Sequence, residues 1–320
     1  MFYSDDHYTT IAVSAITAAA GAYLISRLGS SGSTRQTVVR PCISHLIVYP
    51  VKGCRGVERY SVEVSDNGFK HDREYAVIDA NGVASEYKAL SQTKYPKLAC
   101  LVPVSFDSNG ITISSPEGSR LIHTRIARGK EYTVDFYGDK IQVIDQGDDA
   151  SAWFSKYLGA NVRFVSLSKS VERKTESGYS RPNSFFYRTP ILLVSSESLA
   201  ALSRQVGSEV SHARFRPNIV ISGLSSPWLE DDTVNISIGN LKLTGSEHCE
   251  RCSIPGVDQN TGHLNASLLA ACRRARNGSS MKYKRYPVKD DQWYVGTYFN
   301  PSIKSADSTR ICIGQNVELL

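Results

Sequence analysis

From residue 41 onward the chain is dominated by short runs of alternating apolar and polar residues, and no other feature constrains its fold as much. ISHLIVYPV (43–51), YSVEVS (60–65), EYAVIDANG (74–82), LACLVPVSF (98–106), NGITISSP (109–116) and YTVDFYGDKIQVID (132–145) all follow this pattern. That is the period of half-buried strands, and Asn-Gly and Gly-Asp punctuate them as turns. Strands so closely spaced predict a barrel or sandwich rather than a parallel sheet with crossover helices. NVRFVSLS, PILLVS, NIVISG, TVNISIGNLKLTG and STRICIGQNVELL continue the theme. Three helices interrupt it. DDASAWFSKYLG (148–159) offers Asp148 or Asp149 as a cap and Gly159 as a stop. SESLAALSRQVG (196–207) fits a Ser N-cap, and LNASLLAACRRARNG (264–278) ends on basic residues that suit the helix dipole. The expected architecture is mainly β with packed helices (α+β), divided near Asp145. The charged stretch 169–186 reads as a surface loop.

The first forty residues differ. Residues 8–26, YTTIAVSAITAAAGAYLIS, carry no charge. At ~1.5 Å per helical residue that run is just long enough for a bilayer core. Asp5, Asp6 and His7 precede it, and Arg27, Arg35 and Arg40 follow. A secretory signal or matrix transit peptide would reverse that charge order or be rich in Arg. The positive-inside rule then puts the body in the cytosol. The expected organisation is an anchor at 1–28, a Gly/Ser tether at 29–40, a first domain at 41–146 and a second at 147–320. The net charge of +6 is mild, and no Arg/Lys stripe interleaved with aromatics argues for nucleic acid.

The cysteines pose the chemical question. Seven in a long chain imply no disulfide framework. HCERCSIPGVDQNTG (248–262) spaces Cys249 and Cys252 as if for a metal. A structural zinc site would need a second pair, and His263 or Cys272 are irregular substitutes. A redox dithiol would open a helix, and SIPG is not a clean helix start. A single thiolate on a larger metal cofactor, with Arg251 beside it, and a pair of plainly buried cysteines both remain open. FRPNIVISG (215–223) places Arg216 and Asn218 around a proline at a strand's entry, where Pro217 predicts an extended residue before it. Arg suits phosphate or carboxylate, and Asn suits a heterocycle. YPVKGCRG (49–56) runs a strand into a turn with Lys52, Gly53 and Arg55, without Walker spacing. GFKHDREYAVID (68–79) brings Asp72 and Arg73 to a strand start.

Taken in order, YPVKGCRG, DREYAVID, FRPNIVISG and CERCSIPGVDQNTG closely resemble the molybdenum-cofactor proteins built on the MOSC domain and its companion N-terminal β-barrel domain. The resemblance spans about 43–320 and looks most like the mitochondrial amidoxime-reducing component. It implies Cys252 as the thiolate ligand of molybdenum and the catalytic residue, with Cys249 not a ligand. It implies Glu250, through its backbone, and Arg251 beside the metal, and Arg216 and Asn218 on the pterin and its phosphate. Lys52 and Arg73 would also grip the cofactor, Gly53 stands where the animal protein has Ser, and Thr189 would lie at the pocket edge. Arg188 and Glu250 replace uncharged family residues. The implied cofactor is the molybdenum cofactor (Mo-molybdopterin), anionic and suited to a cradle of Lys52, Arg73, Arg216 and Arg251.

The implied activity is reduction of N-hydroxylated compounds, namely amidoximes, hydroxylamines and N-oxides. Electrons would come from a b5-type cytochrome and its NADH-dependent flavin reductase. The implied location is the mitochondrial outer membrane with the body facing the cytosol. The basic stretch 272–286 is a candidate docking face, equally readable as merely solvated. The alternative is a cofactor carrier or sulfur-transfer protein without reductase activity. The absent desulfurase domain and the expected anchor favour the reductase.

Overall fold

A computed structural model describes residues 40–81, 87–168, 173–174, 180–181, 185–186, 188–303 and 308–320. The expected anchor and all of the tether except Arg40 lie outside these residues, as does most of 169–186. Among the described residues no helix is long and apolar enough to cross a membrane.

The body is mainly β, as the alternation predicts. Its largest sheet has eight strands, in the order Val57–Glu58, Cys42–Val48, Ile219–Ser222, Ile191–Ser195, Tyr294–Pro301, Leu241–Glu250, Asn235–Ile238 and Glu318–Leu319. Both faces of this sheet are covered. Ile43, Leu46, Ile191, Leu193, Ile219 and Ile221 join one apolar cluster, while Ile47, Val194, Val220 and Val295 join another. Burial on both faces explains why PILLVS and NIVISG are continuous apolar runs rather than alternating ones.

A second sheet has five strands, in the order Tyr75–Asp79, Val162–Leu167, Asp139–Asp145, Glu131–Phe136 and Tyr87–Lys88. Here alternate residues part cleanly: Tyr75 and Val77 face one cluster, Ala76 and Ile78 the other. The segment 132–145 folds into two of these strands. Tyr137 and Gly138 take φ 56° and 90° between them, the positive values a tight hairpin of matched twist requires. Residues beyond Asp145 pair back into this sheet, since Val162–Leu167 lies between Tyr75–Asp79 and Asp139–Asp145.

Three α-helices occur among the described residues: α1 (Asp148–Leu158), α2 (Ser196–Val206) and α3 (Ala266–Ala275). The Ser195 hydroxyl caps α2 by accepting the Ser198 N–H, and Gly159 and Gly207 end α1 and α2 with φ 65° and 74°. Two details differ from the sequence reading. Neither Asp148 nor Asp149 caps α1; the N-cap is Gly147, whose N–H is accepted by Asp145. A parallel connection through a helix does occur, beside the short parallel pair Tyr87–Lys88 and Glu131–Phe136. Ile191–Ser195 and Ile219–Ser222 pair in parallel with α2 between them. Its Leu199, Ala201 and Leu202 are buried against the sheet, which such a connection needs. Alternation could not reveal this, because the two strands concerned are the ones buried on both faces.

Candidate functional site

The nine site residues expected from the sequence, Lys52, Gly53, Arg73, Thr189, Arg216, Asn218, Glu250, Arg251 and Cys252, all line one cavity of about 450 Å³. That size is ordinary for a small-molecule or cofactor pocket. Its wall also includes Phe136, Phe185, Phe186, Gln92, Tyr298 and Arg273.

The YPVKG segment reaches the cavity by pairing with the DREY segment. Arg73 N–H donates to Tyr49 O at 2.6 Å, Lys52 N–H to Tyr75 O at 2.8 Å and Tyr75 N–H to Pro50 O at 3.0 Å. Gly53 turns the chain at φ 84°. The Lys52 ammonium donates to Leu90 O at 2.6 Å and lies 5.5 Å from the Phe136 ring centre. Burial, then the repulsion of Arg216, lowers its pKa from 10.5 to about 8.

Arg73 and Arg216 share an unusual backbone. Their φ angles are 54° and 57°, in the left-handed region that costs a non-glycine residue about 1–3 kcal/mol. Arg216 therefore departs from the extended conformation expected before a proline. The turn that holds it is closed by its own N–H donating to His212 O at 3.2 Å. Both guanidiniums lie over the Tyr49 ring, Arg73 at 4.7 Å and Arg216 at 4.3 Å from its centre. Arg216 donates to Cys54 O at 2.7 Å, and burial lowers its pKa to about 10.

Asn218 is less free than expected. It is 1% exposed, and its amide is fully engaged by protein. Its Nδ2 donates to Asp72 Oδ2 at 3.1 Å and Ile47 O at 3.3 Å, and its Oδ1 accepts from Leu192 N–H and Arg73, both at 3.3 Å. It braces the cradle from behind. Asp72, the neighbour of Arg73 at the strand start, is the carboxylate at the centre of this brace. It pairs with Arg73 and accepts Tyr49 N–H at 2.7 Å.

The cysteine loop follows the strand Leu241–Glu250. Register shifts at Gly245/Glu247 and His248/Glu250 break its ladder just before the loop, and such bulges re-aim side chains next to sites. The two cysteines end in different surroundings. Cys249 is 1% exposed, and burial pushes its thiol up. Arg251 donates to Cys249 Sγ at 2.8 Å and to Phe215 O at 2.5 Å. Cys252 is exposed, lines the cavity and accepts Ile254 N–H at 3.5 Å. Only a short 3-10 turn, Ile254–Gly256, follows, so no helix of the redox-dithiol kind starts here. Among the described residues neither cysteine joins a cluster of three metal-ligating side chains, against a closed zinc site. Cys272 is buried in the sheet-helix core.

Electrostatics set this cavity apart. Among the described residues no carboxylate pairs with Lys52, Arg216 or Arg251; only Arg73 has one, Asp72. The Thr189 hydroxyl and the Arg251 Nε are buried with no hydrogen-bond partner. Buried donors and cations left without partners are costly unless a ligand meets them. Arg188 pairs with Glu247 at 3.5 Å, and Glu250 is exposed. In the basic stretch 272–286, Arg276 is not a surface cation: it is 3% exposed and pairs with Asp231 at 2.5 Å. Gln92, Arg273 and the phenylalanines carried no motif signal, because they reach the pocket from segments far apart in the chain.

Residues 40–161 match the MOSC N-terminal beta barrel domain, and residues 179–318 match the MOSC domain. The chain belongs to the MOSC family. It is 27% identical to the molybdenum cofactor sulfurase of Caenorhabditis elegans, over 84% of this chain and 36% of that protein. It is 27% identical to mitochondrial amidoxime reducing component 2 of Bos taurus, over 70% of this chain and 68% of that one. For mitochondrial amidoxime-reducing component 1 of Xenopus laevis the figures are 28%, 77% and 75%. This MOSC chain thus spans about a third of the length of the sulfurases that it matches. A crystal structure of the YUAD protein from Bacillus subtilis aligns with a TM-score of 0.38 at 12% identity, over 87% of this chain and 93% of that one.

Proposed function

We propose that this cavity binds the molybdenum cofactor, with Cys252 as the protein's thiolate ligand, and that the chain reduces N-hydroxylated compounds. One observation carries the reading: an exposed thiol in a pocket whose Lys52, Arg216 and Arg251 have no carboxylate partner among the described residues. A dithiolene pterin bearing a phosphate is an anion of the right character, and a soft thiolate suits molybdenum. The orphaned Thr189 hydroxyl is a ready donor to it. The relatives named as molybdenum cofactor sulfurases and amidoxime reducing components support the same group.

Bound there, the cofactor would supply the two-electron chemistry that removes oxygen from an N–O bond. An amidoxime plus two electrons and two protons gives an amidine and water. The chain's own part is electrostatic and positional. Lys52, Arg73, Arg216 and Arg251 balance the anion, and Arg251 is held in place by its bonds to Cys249 Sγ and Phe215 O. Phe136, Phe185 and Phe186 give the pocket an apolar wall. In this reading electrons arrive from a b5-type cytochrome served by an NADH-dependent flavin reductase. The N-terminal span holds the protein to the mitochondrial outer membrane with its body toward the cytosol. The sulfurase relatives favour a second reading, in which Cys252 carries sulfur to a bound cofactor without substrate reduction.

The test is molybdenum content and turnover of the full chain, expressed in a cofactor-making host. Wild type and Cys249→Ala retain near-stoichiometric molybdenum, Cys252→Ala loses it, and the loaded protein reduces benzamidoxime with cytochrome, reductase and NADH. Loaded protein without turnover would favour the sulfur-carrying reading. Equal metal loss from both cysteine variants would reject the site.

A further inference from the structure

A second constellation lies outside this pocket. His45 is on the strand Cys42–Val48, Glu58 on the neighbouring strand Val57–Glu58, and His212 on the 3-10 turn His212–Arg214. His45 Nδ1 is 3.2 Å from Glu58 Oε1, and His212 Nε2 is 3.5 Å from the same oxygen. The three ligand atoms all lie within 4.8 Å of one another, the one such group among the described residues. The imidazole rings lie 4.7 Å apart, tilted by 34°. A cavity of about 480 Å³, separate from the cofactor pocket, includes Glu58 and His212 in its wall.

We infer that His45, Glu58 and His212 form a binding site for a divalent transition-metal ion of the zinc class, with one position left open to solvent. Two imidazoles and a carboxylate are the donor set such ions prefer. The spacing also fits. Metal–ligand bonds of about 2.0–2.1 Å put the ligands of a tetrahedral ion roughly 3.3 Å apart. The two distances to Glu58 already match that edge, so only the gap between the imidazoles has to close, by rotation of side chains at the surface. His45 is 37% and Glu58 57% exposed at the side chain, which allows that rotation and gives the ion a way in. Two of the three ligands, Glu58 and His212, line the second cavity, which is where a fourth ligand would enter. An ion there would tie the turn His212–Arg214 to two strands of the large sheet, two residues before Arg214, which lines both cavities. The site does not depend on the cofactor reading.

The test is titration of untagged, chelator-treated full chain with cobalt(II), read by visible absorption, and with zinc, read by calorimetry. One equivalent binds, with the d–d bands of a tetrahedral nitrogen–oxygen site and no thiolate-to-cobalt charge transfer. Affinity falls at least tenfold in Glu58→Gln and in His212→Ala and is unchanged in Cys252→Ala. Circular dichroism melting of each variant separates a lost ligand from a lost fold, and Glu58→Gln keeps the hydrogen-bonding shape if His212→Ala does not fold. No binding, equal affinity in wild type and Glu58→Gln, or a thiolate band lost in Cys252→Ala would overturn the proposal. The last would put the metal in the cofactor pocket instead.

Discussion

Lys52 should destabilise the ligand-free protein that it serves. Its pKa falls from 10.5 to about 8, chiefly through burial and then through Arg216. At about 1.4 kcal/mol per tenfold change in protonation, that is worth about 3 kcal/mol. Part of the side chain remains open to the cavity, so about 2 kcal/mol is the fairer figure. The sign follows from linkage. Below pH 8 the lysine is charged in both folded and unfolded chains, and the penalty is fully present. Between about 8 and 10.5 the unfolded chain holds a proton that the folded chain has released, so stability rises with pH. Above 10.5 the penalty is gone. Lys52→Met removes the charge and keeps the stem, and it also loses the bond to Leu90 O, worth about 1 kcal/mol. Urea unfolding of the cofactor-free full chain should show the variant more stable than wild type by about 1 kcal/mol near pH 7. By pH 10.5 that advantage should vanish or reverse. The same variant should retain less molybdenum when expressed with the cofactor. A stability difference independent of pH would refute the argument, because the lysine would then not be desolvated.

Two further outcomes follow from neighbouring contacts. Asn218→Ala removes an amide that makes four hydrogen bonds inside the body, so urea unfolding should show a loss of about 2–4 kcal/mol even without cofactor. Thr189→Val replaces an unpartnered buried hydroxyl by an isostere. Ligand-free stability should hold or rise by up to about 1 kcal/mol in the same assay, while molybdenum retention falls.

Much of this fold and site was legible because period-2 alternation and turn dipeptides report the strands directly. The exceptions have physical causes. The parallel pair joined by α2 is buried on both faces, so its sequence carries apolar character without period. Arg216 escaped the rule for residues before proline because the turn His212–Arg214 and the stacking of its guanidinium on Tyr49 hold it in the left-handed region. Asn218 read as a ligand-facing amide, yet its bonds run into the body, since a motif gives residue type and not side-chain direction. The His45–Glu58–His212 group was invisible for a different reason. Its members are far apart in the chain, and sheet pairing alone brings two of them together.

The cradle poses a problem that the body solves before any ligand arrives. Lys52, Arg73, Arg216 and Arg251 repel one another in surroundings of low polarity. Asp72 is a single carboxylate, and burial itself pushes its pKa up against the pull of Arg73 and of the donors from Tyr49 and Asn218. The ring of Tyr49, with both guanidiniums over it, adds attraction without adding charge. Together they hold Arg73 and Arg216 in place despite two left-handed backbones. They do not neutralise Lys52, Arg216 or Arg251. An anion that enters therefore meets donors already oriented and cations already desolvated, and relieves their repulsion as it binds. The body's stability and its affinity for that anion are thus linked through the same side chains. Changes that relax the cradle should strengthen the empty protein and weaken the loaded one, the relation that Lys52→Met tests.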